Sequence, residues 1–188
     1  EKLANPGKAV EAYQEIVRLM PTHQKAMRTL RELYAAAGRY GELEALYRDQ
    51  GQYEELCEIL TSVAESLAQE QSAEKIRLYL RVAEIAQHEL KSPERAAKAY
   101  ERILAVDPEN QQAAHALVPI YRAGEKWARL LATYEIILQV DRRQPTVDSE
   151  AVIALHREIV ALCEEKLGSK SLAFAWAAYP FTQYASNS

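Results

Sequence analysis

Glycine and proline are scarce in this chain: six glycines and seven prolines are spread over 188 residues. That is too few for the many tight turns of a sandwich or barrel, and with 48% hydrophobic and 27% charged residues the composition favours helix formers throughout. Aspartate is rarer still, at Asp49, Asp107, Asp141 and Asp148 only, and unclustered, which removes the paired-Asp magnesium sites of helical phosphate chemistry. The two cysteines, Cys57 and Cys163, stand far apart and in no C-x-x-C spacing. They fit buried apolar roles in a reducing, cytoplasmic setting better than a disulfide framework. No stretch of 18 apolar residues exists, so no membrane span is expected, and the opening EKLANPGKAVEAY is no signal peptide. The chain begins with Glu1 and not Met, so a piece of a longer protein is expected. The net charge is −4, and basic residues alternate with Glu without forming a stripe, which argues against a nucleic-acid partner.

Catalytic signatures are missing as well. G-x-x-x-x-G-K-[ST], G-x-G-x-x-G, G-x-S-x-G and H-E-x-x-H are all absent. The Glu-x-x-His spacing of di-iron bundles fails at His23, His88, His115 and His156, whose third residues upstream are Met20, Ile85, Gln112 and Ile153. His156 and Cys163, seven apart, would share one helix face, a spacing that a metal pair and an ordinary amphipathic core explain equally well. No cofactor is expected.

What the chain does contain is repetition. ERAAKAYERILAVDPEN at 94–110 rewrites GKAVEAYQEIVRLMPTH at 7–23, with Ala9, Tyr13, Ile16 and Pro21 returning as Ala96, Tyr100, Ile103 and Pro108. Residues 5–47 laid over 92–134 without a gap give 14 identities in 43 positions, including Leu30/Leu117, Tyr34/Tyr121, Leu43/Leu130 and Tyr47/Tyr134. Each copy opens on a capping residue and a proline, Asn5-Pro6 and Ser92-Pro93, a helix start whose missing N–H would have had no partner anyway.

Helices are predicted over 5–20, 23–37, 39–49, 52–70, 73–90, 93–106, 110–123, 125–140, 149–167 and 171–179, with DRRQPTVDS, 141–149, as the longer loop. Pro21 and Pro108 stop their helices, and Gly38, Gly51, Gly124 and Gly168 mark turns. Five helices then separate one copy from the next, and an odd number of antiparallel helices leaves the second copy upside down. A shorter duplication, GRYGELEAL on GQYEELCEI, and the match of LKSPERA to LGSKSLA at a shift of 77 point to a four-helix ancestral unit with 38–51 inserted. The expected organisation is one repeat domain over 1–188, with units at about 5–91, 92–168 and a partial 169–188.

At these residues the chain resembles the tetratricopeptide repeat (TPR) family, whose hairpins carry a small residue, an aromatic, a further small or aliphatic residue and a closing Pro at this spacing. Leu30 and Tyr34, repeated as Leu117 and Tyr121, stand where the family's first helix has Leu and Tyr. The family's Gly and Trp are replaced, by Arg31 and Met27 in one copy and Val118 and Ala114 in the other. The resemblance implies an all-α, right-handed superhelix (α-solenoid) of antiparallel TPR-like hairpins, acting as a non-catalytic scaffold that holds a peptide or protein partner along its concave groove. Stacked hairpins share an apolar seam that no single hairpin can build.

Carried over position by position, the groove residues are Lys25, Arg28, Glu32 and Ala36, then Arg81, Ile85 and His88, then Gln112, His115, Pro119 and Arg122. This face leans basic, so an acidic or extended peptide is the expected guest; read without a partner, these are solvated charges of amphipathic helices. The chaperone-tail site of the family lacks its Asn residues here. Two alternatives stand beside the scaffold. One is a helical enzyme or ligand-binding domain using a pocket between hairpins, with His88, His115 and His156 as acid–base groups. The other is self-assembly into a homo-oligomer through end hairpins, suggested by Leu172, Phe174, Trp176, Tyr179 and Phe181 in an apolar last helix.

Overall fold

The computed structural model describes the backbone of residues 6–141 and 149–185 and the side chains of 7–139 and 150–178; Asn5, positions 142–148 of the predicted loop and the side chains of the tail aromatics Tyr179 and Phe181 lie outside the described residues. The fold is all-α. Among the described residues ten α-helices follow one another: α1 (Pro6–Leu19), α2 (Gln24–Ala36), α3 (Tyr40–Arg48), α4 (Tyr53–Ser66), α5 (Ser72–His88), α6 (Pro93–Val106), α7 (Gln111–Ala123), α8 (Trp127–Asp141), α9 (Ser149–Ala161) and α10 (Lys170–Ala185). Two elements end elsewhere than predicted. The helix expected to 70 stops at Ser66, and a turn of 3-10 helix at Gln69–Gln71 leads into α5, with Gln71 accepting from the Ala68 N–H. α10 continues through Pro180 to Ala185 where a stop at 179 was expected.

Burial repeats with the sequence. α2 buries Ala26, Met27, Leu30 and Tyr34, and α7 buries Ala113, Ala114, Leu117 and Tyr121, the same four positions 87 residues later. Leu43 and Tyr47 on α3 return as the buried Leu130 and Tyr134 on α8. The caps repeat too. His23 Nδ1 accepts from the Ala26 N–H, and its counterpart, the Asn110 side chain, accepts from the Ala113 N–H at 3.0 Å. Gly38 and Gly51 end α2 and α3 at φ 65° and 67°, and the N–H groups of Arg39 and Gln52 return to the carbonyls of Tyr34 and Tyr47. In the second copy the left-handed residue after α7 is Glu125, at φ 53°, with Lys126 N–H on the Tyr121 carbonyl.

Consecutive helices pack on one another from α1 to α10. Helices two apart are joined by ion pairs. Arg31 reaches Glu55 from α2 to α4 at 3.6 Å; Arg95 and Arg102 on α6 reach Glu54 and Glu65 on α4 at 3.3 and 3.0 Å. Arg129 on α8 then meets Glu101 on α6. These contacts line up α2, α4, α6 and α8 as one row. α3 is tied to α5 through Glu44–Arg81, and α7 to α9 through Glu158–Arg122, which makes the odd-numbered helices the other row. The α4–α6 pairs run in the same chain direction, as members of one row must when their hairpin neighbours are antiparallel.

This alternation settles the position of the short helix. α3 packs against both α2 and α4 and takes a regular place in its row. The count between copies therefore stays odd. α2 lies in the even row, whereas its sequence counterpart α7, hairpin partner of both α6 and α8, lies in the odd one.

Candidate partner-binding face

On α2, Lys25, Arg28 and Glu32 follow one another at spacings of three and four, so they share the stripe opposite Ala26 and Leu30 and all three are exposed. Arg28 Nε donates to Glu32 Oε1 at 3.0 Å along that stripe. Arg28 also borders an open cleft of about 430 Å³ between α2, the end of α3 and the start of α4, lined with Arg31, Tyr47, Gln24, Gln50, Gln52 and Glu55 among others. Inside it, Tyr47 OH donates to Glu55 at 3.4 Å, Arg31 faces the same carboxylate, and Gln50 Nε2 points at Met27 Sδ at 3.2 Å. Burial, then the Glu55 charge, raises the Tyr47 phenol above its ordinary range, so it remains a donor.

On α5, Arg81 and His88 border a smaller cavity of about 170 Å³ together with Arg48, Tyr53, Glu84 and Glu89. Arg81 is already engaged. Its Nη2 donates to Glu44 Oε2 at 2.7 Å, its Nε to the other oxygen of that carboxylate, and its Nη1 to Glu84 at 2.6 Å. These bonds hold the guanidinium above its ordinary pKa. Ile85, expected on the groove face, is only 4% exposed and belongs to the core.

On α7, Gln112 and His115 are exposed near the start of the helix. Arg122 sits in its last turn and donates to the Tyr134 hydroxyl at 2.7 Å and to Glu158, while Tyr134 donates to the same Glu158 oxygen at 2.9 Å. An Arg–Glu–Tyr group of helices n, n+2 and n+1 thus occurs twice, as Arg31–Glu55–Tyr47 and as Arg122–Glu158–Tyr134. The two arginines are not sequence counterparts. Position 118, opposite Arg31 in the repeat, is Val118, and Arg122 supplies the same charge one turn later.

The residues read from sequence as one groove therefore divide. Lys25, Arg28 and Glu32 stand in the even row; Arg81, His88, Gln112, His115 and Arg122 stand in the odd row. Residues that sequence reasoning passed over, Gln24, Arg31, Gln50 and Gln52, surround Arg28 instead. For Gln50 and Gln52 the signal in sequence is the concentration of amides around the Gly51 turn, GQY preceded by DQ.

The histidines are dispersed over the start of α2 (His23), the end of α5 (His88), α7 (His115) and α9 (His156). His156 is 7% exposed and packs against Trp176 of α10, ring centroids 5.9 Å apart. Cys163 lies fully buried in the π-helical turn Leu162–Lys166 that finishes α9, where burial raises the pKa of its thiol. Among the described residues no group of three His, Cys, Asp or Glu side chains could hold a metal ion, and no helix is long and apolar enough to cross a membrane.

No protein-family model matches the chain, and no curated protein matches it. Among solved structures it is similar to the crystal structure of BtubC (BKLC) from P. vanneervenii, with 15% identity, 96% of this chain and 89% of that chain covered, and a TM-score of 0.38, a likeness too distant to bear on function.

Proposed function

We propose that the chain is a non-catalytic scaffold of TPR-like hairpins, its two rows the layers of a right-handed superhelix, and that it binds an extended peptide segment of a partner protein in the α2–α4 cleft. The observation that carries this reading is the lining of that cleft: three side-chain amides, Gln24, Gln50 and Gln52, beside Arg28 and Arg31 with Glu55 as the one acid. A primary amide offers a donor and an acceptor on adjacent atoms, which matches the N–H and C=O of an extended main chain. Arg28 pairs with the exposed Glu32 and Arg31 with Glu55, and the exposed Lys25 on the same stripe leaves a net positive charge there, which favours acidic side chains on the guest. Arg81 and Arg122, tied to Glu44 and Glu158, act in the array itself. The dispersal of the four histidines supports the binding reading over the enzymatic one, since acid–base catalysis needs groups that converge on one substrate.

The test is fluorescence anisotropy of the whole chain with a set of labelled extended acidic peptides and their charge-reversed versions. Preference for acidic peptides, lost about ten-fold or more in Arg28→Glu and in Gln52→Ala with unchanged thermal melts, is the expected result. Equal binding of acidic and charge-reversed peptides removes the proposal.

A further inference from the structure

The α2–α4 cleft has a neighbour. A second opening of about 410 Å³ lies between α1 and α3, over α2, and Pro21 and Gln50 line both. Pro21 lies in the α1–α2 turn and Gln50 in the α3–α4 turn, which an up-and-down array puts at the same end. The two clefts therefore flank the α2–α3 pair and border on each other there. Their linings differ in kind. The second cleft has the buried Leu30 and Tyr34 of α2 beneath it and the half-buried Val17 and Leu46, with the exposed Ala45, at its sides. Leu19 and Met20, which precede Pro21, are 64% and 50% exposed, so apolar surface also runs up to the crossing.

The flank of α1 that borders this cleft, Gln14, Val17 and Arg18, is one that the array leaves open internally. On α6 the buried positions are Ala99, Tyr100 and Ile103, whereas Ala105, counterpart of Arg18, stays exposed with α5 packed on the helix. The second copy differs at the cleft itself. There Arg129 on α8 meets Glu101 on α6, while the first-copy counterparts turn elsewhere, Glu42 to Arg39 at 2.7 Å and Gln14 to the Tyr34 hydroxyl at 2.7 Å. Leu46 is replaced by Thr133, Asp49 by Ile136 and Gln50 by Ile137.

Charge changes sign across the crossing. Beside the α1–α3 cleft Arg18 is paired with Glu15 and Glu42 with Arg39, and the exposed Asp49 at the end of α3 leaves the rim negative, where the helix dipole adds to it. The α2–α4 side is the positive one.

We propose that the guest of the α2–α4 cleft continues past Pro21 and Gln50, seats an apolar side chain over Leu30 between Val17 and Leu46, and places a basic residue against Asp49. This rests on the peptide-binding reading above and specifies its guest: an acidic stretch, then an apolar anchor, then a positive charge. The apolar cleft supplies burial, and the opposed charges of the two rims fix which way round the segment lies.

Anisotropy of the whole chain with an acidic parent peptide, extended at either end by Leu-Lys or by Ser-Lys through glycine spacers of graded length, tests this. Leu-Lys at one end is expected to tighten binding about ten-fold over Ser-Lys. Ala45→Glu, at an exposed position outside the α2–α4 cleft, abolishes that gain and leaves the parent peptide bound as before; Asp49→Lys reverses the preference to Leu-Glu over Leu-Lys. Circular dichroism melts control for folding. A parent that binds with its acidic preference but gains nothing from Leu-Lys at either end overturns this inference alone, as does a gain that survives Ala45→Glu. A parent without acidic preference removes the cleft reading and this inference with it.

Discussion

Tyr121 donates its hydroxyl proton to Glu101 across the α6–α7 hairpin at 2.6 Å, and the pair Tyr34–Gln14 makes the same contact across α1–α2 at 2.7 Å, Gln14 here being the donor. Both pairs are 20 residues apart in sequence, and both members are counterparts under the 87-residue shift. The repeat thus conserves a bond while exchanging its polarity. In the second copy Arg129 also reaches Glu101, so the carboxylate has a cation from α8 where neutral Gln14 needs none.

The turn after α7 is strained where its counterpart is not. Gly38 adopts φ 65° at no steric cost, whereas Glu125 holds φ 53° with a Cβ. Glu125→Gly is expected to raise stability by up to about 1 kcal/mol, and Gly38→Ala, although nothing lies within 4 Å of its new Cβ, to lower it by about 1 kcal/mol through backbone strain alone. Urea midpoints at constant m-value measure both.

Ala96 is fully buried beneath α5, whereas Ala9 in the open first copy is 9% exposed. Ala96→Leu overfills a closed contact and is expected to cost about 1–3 kcal/mol. Ala9→Leu has room to relax and costs clearly less in the same denaturation experiment.

Cys57 is 6% exposed, and desolvation pushes its thiol up to about 11 from an ordinary value of 9.0. The folded pKa exceeds the unfolded one, so the stabilising contribution of the neutral thiol is complete below pH 9 and disappears as pH rises through 11. Tyr121, raised to about 12 by burial and by Glu101, loses its contribution between 10 and 12. Thermal melts from pH 7 to 11 are expected to stay level to about 9 and then fall. In Cys57→Ala, whose side chain cannot ionise, the fall above 9 is expected to be shallower, the buried Cys163 thiol and then Tyr121 accounting for what remains.

Glu44 is 13% exposed and takes Arg81 across the odd row, whereas Arg18 and Glu15 pair along the exposed side of α1. Arg81→Ala strands a mostly buried carboxylate with Arg48 alone, 3.3 Å away, at an expected cost of about 1–2 kcal/mol. Arg18→Ala is expected to leave the melting temperature unchanged.

Much of the helix order was legible because burial leaves a local trace. Leu30, Tyr34, Leu117 and Tyr121 sit at spacings that only one helix face can satisfy, and their burial follows the sequence register. What sits two helices away leaves no such trace. Arg81 and Arg122 read as free groove cations because the carboxylates that engage them, Glu44 and Glu158, lie 37 and 36 positions distant and meet them only through the register between rows. The same holds for Ile85, whose buried side depends on which neighbour α5 leans against. Pro180 reads as a stop because it removes a backbone donor, yet α10 carries on past it. Nor does the spacing show the π turn after α9, where Leu167 N–H bonds the Leu162 carbonyl at 3.1 Å, one residue beyond the usual reach.

Doubling an odd-membered block turns its second edition over. Whatever the α2 stripe offers to one flank of the molecule, α7 offers to the opposite flank, so the duplication does not lengthen a single docking track. In the proposed scaffold, two guests, each reading one edition, would sit on opposite sides without competing for the same ground.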